Sequence, residues 1–132
     1  MTDDRTAAYI IEVHKYFEDL RQVASQLAGL MVLAAASGKS TVADHPLLEA
    51  ARRLHQEATD GLLTTRATER ARVHHHYLVE AAAALDCSLA QPEVGLALGP
   101  LRAAYAHLER ASQSLPGFEM VSFEHACCAR VT

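Results

Sequence analysis

The sequence contains no tryptophan, and its few phenylalanines and tyrosines bring the aromatic share to only 5%. Strands favour aromatic and β-branched residues, so a β-dominated core is not expected. Cysteine is scarce as well. There are three, an odd number that does not suit a framework of paired disulfides. No hydrophobic run is long. The longest, residues 27–36, is about half of what a bilayer-spanning helix needs. Basic clusters are also missing: 12 Lys and Arg are interspersed with 16 Asp and Glu, giving a net charge of −4. A nucleic-acid binder carries a basic patch or stripe, so nucleic acid is not an expected partner. The opening MTDDRTAAY is acidic and lacks the basic and apolar regions of a secretory signal. The expectation is a cytoplasmic protein that does not engage a membrane.

Catalytic signatures are missing too. There is no nucleophile elbow, no glycine-rich nucleotide loop and no HExxH. Residues 37–41, SGKST, have the ending of a phosphate-binding loop. That motif needs a glycine five residues before Gly38, where Leu33 stands, and it follows a strand, whereas this segment follows a helical pattern.

What the chain does have is alanine, 25 residues of it, within a composition that is 50% hydrophobic and 21% charged. Alanine is the strongest helix former. A chain of 132 residues buries about two-thirds of its unfolded surface, enough to fold without a disulfide or a metal. We expect a single all-α domain over residues 1–132, an up-and-down four-helix bundle with an ordered C-terminal tail.

The first helix is expected over residues 4–37. Ile10, Val13, Phe17, Leu20, Ala24, Leu27, Met31 and Ala34 alternate spacings of three and four, a heptad seam. From Leu27 onward, Leu30, Val32 and Leu33 make the helix apolar on every side, so every side must be covered. Ser37-Gly38 ends it, because glycine accepts the left-handed cap conformation. A second helix is expected over 45–62, starting at Pro46, with Leu47, Ala51, Leu54, Ala58 and Leu62 inward. A third is expected over 66–90, with Ala71, His75, Leu78, Ala82, Leu85 and Leu89 as its seam. The fourth is expected over 100–115, opened by Gly99-Pro100 and stopped by Pro116-Gly117, with Leu101, Ala104, Tyr105, Leu108, Ala111 and Leu115 inward. Residues 116–132 form the tail. Its Phe118, Met120, Val121 and Phe123 are too apolar for a free end, and we expect the segment to lie across the bundle or a neighbouring subunit.

Eight histidines are the most distinctive chemical feature. At about 100° per residue, His55 falls near the centre of the second helix's apolar face, and His74 and His75 fall near that of the third. His14 and His107 lie at the borders of theirs. These five are the candidate ligands of a transition metal, Zn or Fe, held between helices, since imidazole suits such ions and bundles build sites from facing helices. The ordinary alternative is that each is a boundary histidine bonded to a neighbour. The carboxylate-rich di-iron pattern requires Glu-x-x-His pairs, whereas Glu18, Glu49 and Glu69 have arginine at that spacing.

His76 points away from the third helix's seam, with Glu80 one turn on. Glu80 has no Arg or Lys at three or four residues on either side, so His76 and Glu80 form a candidate acid–base pair. Cys87 with His125, Cys127 and Cys128 is an alternative thiol site for zinc, although adjacent side chains in extended chain point apart. With catalytic motifs absent and apolar residues in excess around residues 27–33, Leu47-Leu48 and Leu62-Leu63, the leading expectation is a non-enzymatic interaction module. Its partner is itself, as a homodimer, or another protein. A metal- or cofactor-binding bundle is the alternative, and a small enzyme built on Glu80 and His76 is a third.

Overall fold

The structure is a computed structural model, which describes residues 4–43, 45–91 and 93–116. They form an all-α protein of four helices: α1 (Asp4–Ala36), α2 (Pro46–Thr64), α3 (Arg72–Ala90) and α4 (Val94–Gln113), with a 3₁₀ turn, Glu69–Ala71, leading into α3. No helix among the described residues is long and apolar enough to cross a membrane. The tail expected over 116–132 lies outside the described residues apart from Pro116.

Helix α1 buries Val13, Leu20, Ala24, Leu27, Met31 and Ala34, the expected seam, and adds Tyr9 and Val23. Ile10 and Phe17 are only partly buried against the core. The C-terminal stop forms as the sequence implies. Gly38 takes φ +70°. Its N–H donates to the Ala35 carbonyl at 3.1 Å, and the Lys39 N–H donates to that of Ala34 at 2.7 Å. This pair of bonds is the Schellman motif, which needs a residue tolerant of positive φ at its turn.

Helix α2 is capped by His45, whose Nδ1 accepts from the Leu47 N–H at 3.1 Å, and Pro46 follows in the first turn. Its inward stripe is Leu48, Ala51, His55, Ala58 and Leu62. The expected Leu47 is instead 56% exposed. Two adjacent leucines left the register open, and the helix takes the one that turns His55 inward and leaves Leu54 half-buried.

The third helix begins later than expected. Residues 66–68 are not helical, and Thr68 is extended, with φ −72° and ψ 168°. The hydroxyls of Thr68 and Thr6 lie 2.9 Å apart. The Thr65 hydroxyl sits 2.7 Å from the Gly61 carbonyl and 3.0 Å from the Glu12 carboxylate. Side chains of this kind offer the backbone bonds that compete with helix. They also fasten this connection to the start of α1.

The fourth helix begins earlier than expected, at Val94, and Pro100 lies inside it. Its start is fixed from outside: the Val94 N–H, one of the orphan donors of a helix N-terminus, bonds the Ser40 carbonyl at 2.8 Å. Thr41 and Glu93 form an isolated bridge beside it. Pro100 cannot donate to the Leu96 carbonyl, but Leu96 lies on the exposed side, where water can serve. Tyr105, expected inward, is 40% exposed. Ala97, Leu101, Ala104, Leu108 and Ala111 make the buried stripe.

The most extensive helix pair is α3 with α4, followed by α1 with α2. Small buried residues, Ala81 and Ser88 on α3 and Ala97 and Ala104 on α4, permit the close approach. The Ser88 hydroxyl donates to the Ala97 carbonyl across the gap at 2.8 Å.

Candidate functional site

The three adjacent histidines of α3 are divided by the helix. His74 is buried, His75 half-buried and His76 exposed. His74 Nδ1 lies 2.8 Å from the Tyr9 hydroxyl of α1, and the rings meet edge-to-face with centroids 5.6 Å apart. A tyrosine placed on an apolar helix face needs such a partner for its hydroxyl. Burial raises the Tyr9 hydroxyl's pKa above its ordinary value. Burial, and then the neighbouring His75, push His74 down to about 4. At neutral pH the pair is therefore uncharged, a phenol bonded to a neutral imidazole.

Beside this pair lies a cavity of about 230 Å³. Ile10, Val13 and Phe17 of α1 and Leu115 line its apolar part, while His14, His74 and Ser112 supply its polar atoms. The cavity therefore brings His14 and His74 to one place. The other candidates lie elsewhere. The His75 Nε2–H donates to the Leu62 carbonyl at 2.9 Å, satisfying one of the orphan carbonyls near the end of α2. The His55 Nε2–H donates to the Ala82 carbonyl of α3 at 2.8 Å, and the Thr59 hydroxyl is 3.4 Å from the same nitrogen. His107 stacks on Tyr77 with centroids 6.4 Å apart, and its buried Nδ1 has no hydrogen-bond partner. Among the described residues, no group of three or more His, Cys, Asp or Glu side chains is placed to hold a metal ion.

The His76 Nε2 and a Glu80 oxygen are 3.8 Å apart, with 61% and 46% of the side chains exposed. Cys87 is exposed, while His125, Cys127 and Cys128 lie outside the described residues.

Two residues of this region escape a reading of the sequence. Tyr9 stands one turn before Val13 on the α1 seam, and its amphipathic side chain was the available signal. His45 carries no signal of its own, because histidine is not among the preferred N-caps.

No family model matches the chain, and no curated protein or solved structure is similar to it.

Proposed function

We propose that the protein is a non-enzymatic helical interaction module that works as a homodimer, with its four helices in up-and-down order. The observation that carries the reading is the outer face of the second half of α1. Residues 25–36 contain no charge. Gly29, Val32, Leu33 and Ala36 fall within an arc of about 100° on the helix, and all four are exposed. Val32 is 69% and Leu33 55% exposed. A groove of about 450 Å³ adjoins this face, lined by Leu33, Val42, His45 and Pro46 among others.

An apolar helix face left in water is a feature of surfaces that meet a partner. A second copy suits this one. The chain carries net charge −4, yet the face carries none, so two copies meet without like charges at the centre of contact. A two-fold dimer requires such self-complementarity. Gly29 has no atom within 4 Å of where a Cβ would stand, which leaves room for close approach.

The up-and-down order draws support from the connections. The Thr41–Glu93 bridge joins the segments that precede α2 and α4. The Thr6–Thr68 contact sets the α2–α3 connection beside the start of α1.

Light scattering at micromolar concentration tests the reading, with a dimer as the expected result and a stable monomer as the contrary one. Elemental analysis of untagged protein tests it from the side of the metal alternative. Stoichiometric Zn or Fe that disappears in His74→Ala would replace the interaction module with a metal-binding bundle.

A further inference from the structure

The cavity beside His74 is open where the described chain leaves the bundle. Leu115 lines it, and the next residue, Pro116, is fully buried. The sequence then continues Gly117, Phe118, Glu119, Met120, Val121, Ser122, Phe123. At a reach of at most about 3.6 Å per residue, Phe118 lies within roughly 11 Å of Leu115 in any conformation. Pro-Gly is also the central pair that favours a type II turn, whose first and fourth residues have Cα atoms less than about 7 Å apart. In this sequence those residues are Leu115 and Phe118.

We propose that this cavity is the seat of the chain's own segment 118–123, with Phe118 filling it against Val13, Phe17 and Leu115. The occupant matches the site in chemistry. The walls contributed by α1 are apolar, and the segment carries four large apolar side chains within six residues. Glu119 and Ser122 alternate with them, so an extended segment can keep its polar atoms outward. The site lies on α1 away from the uncharged face around Val32, so it does not depend on dimer formation. A filled cavity also closes the solvent side of the Tyr9–His74 pair, making the segment a clasp that holds α1, α3 and α4 together.

The experiment uses the full chain and NMR. Nuclear Overhauser contacts are sought between the Phe118 ring and the methyls of Ile10, Val13 and Leu115. A second arm exposes the wild-type protein and Phe118→Ala to xenon, which enters empty apolar cavities. The expected result is ring–methyl contacts within one molecule, weak xenon shifts at Val13 in wild type, and shifts at least several-fold larger in Phe118→Ala. Unchanged signals around His55 and Ala82 establish that the variant is folded. Absence of the ring contacts, or equal xenon response in both proteins, would overturn the proposal. So would contacts that appear only between differently labelled molecules in a mixed sample, which would place a second copy's segment in the cavity.

Discussion

The ring of Tyr16 in α1 lies directly on the backbone of Gly61 in α2, so close that a Cβ at residue 61 would overlap the ring. Here the two helices touch without a side chain between them. Gly61 sits inside α2, where glycine costs about 1 kcal/mol relative to alanine in helix propensity. That cost is offset only if the Tyr16 contact needs the space. Gly61→Ala is therefore expected to destabilise the wild-type protein by about 1 kcal/mol or more, as overpacking does. In a Tyr16→Ala background the same change is expected to stabilise by up to about 1 kcal/mol. A double-mutant cycle by urea denaturation reads the reversal of sign. The same sign in both backgrounds would mean that the ring moves aside freely.

The Tyr9–His74 pair predicts a pH dependence. His74 titrates at about 4 when folded and near the ordinary 6.5 when unfolded. Between these values the unfolded chain binds more protons, so stability falls as pH drops from about 6.5 toward 4. Above 6.5 the group is neutral in both states and contributes no slope. The loss at the lower end is on the order of 3 kcal/mol. His74→Leu is expected to lose this component of the slope. An NMR titration of the His74 ring with a midpoint near 6.5 in the folded protein would contradict it.

Tyr9→Phe deletes one hydroxyl and leaves the His74 nitrogen without its partner, 2.8 Å away in the native pair. The expected cost is about 1–3 kcal/mol, the penalty of an unsatisfied buried polar atom. Chemical denaturation at pH 7 measures it, and a neutral substitution would show that water reaches the site.

Pro100 predicts a stabilising change. It lies within α4, beyond the first turn, where proline forfeits a backbone bond and crowds the preceding turn. Pro100→Ala is expected to raise stability by about 1–3 kcal/mol. An unchanged or lower melting temperature by calorimetry would show that α4 is already adapted to the ring.

The sequence made the four helices legible because alanine content and heptad spacing acted in the same direction along α1 and α3. It was less informative where two physical choices were nearly equal. Leu47 and Leu48 offered two registers for α2, and the bond from His55 to the Ala82 carbonyl belongs to a partner helix that no local pattern reveals. Pro100 read as a helix start, because the actual start at Val94 depends on the Ser40 carbonyl, which is distant in sequence. The histidines were the hardest to place. Helical angle separated His76 from His74, yet His75 reaches only half-burial because its nitrogen reaches the end of α2. The pairing of His74 with Tyr9, 65 positions away, is a tertiary fact. The meeting of His14 and His74 at one cavity follows from the way α1 crosses α3, which periodicity does not encode.

Self-association through α1 is tested most directly by sedimentation equilibrium of wild type and Val32→Glu, at micromolar concentration and neutral pH. The account predicts twice the 14.3 kDa chain mass for wild type. For Val32→Glu it predicts a folded monomer, since a charge placed on each copy of a two-fold contact faces its equivalent. A wild-type protein that sediments as a monomer, or a Val32→Glu dimer as tight as the native one, would contradict it.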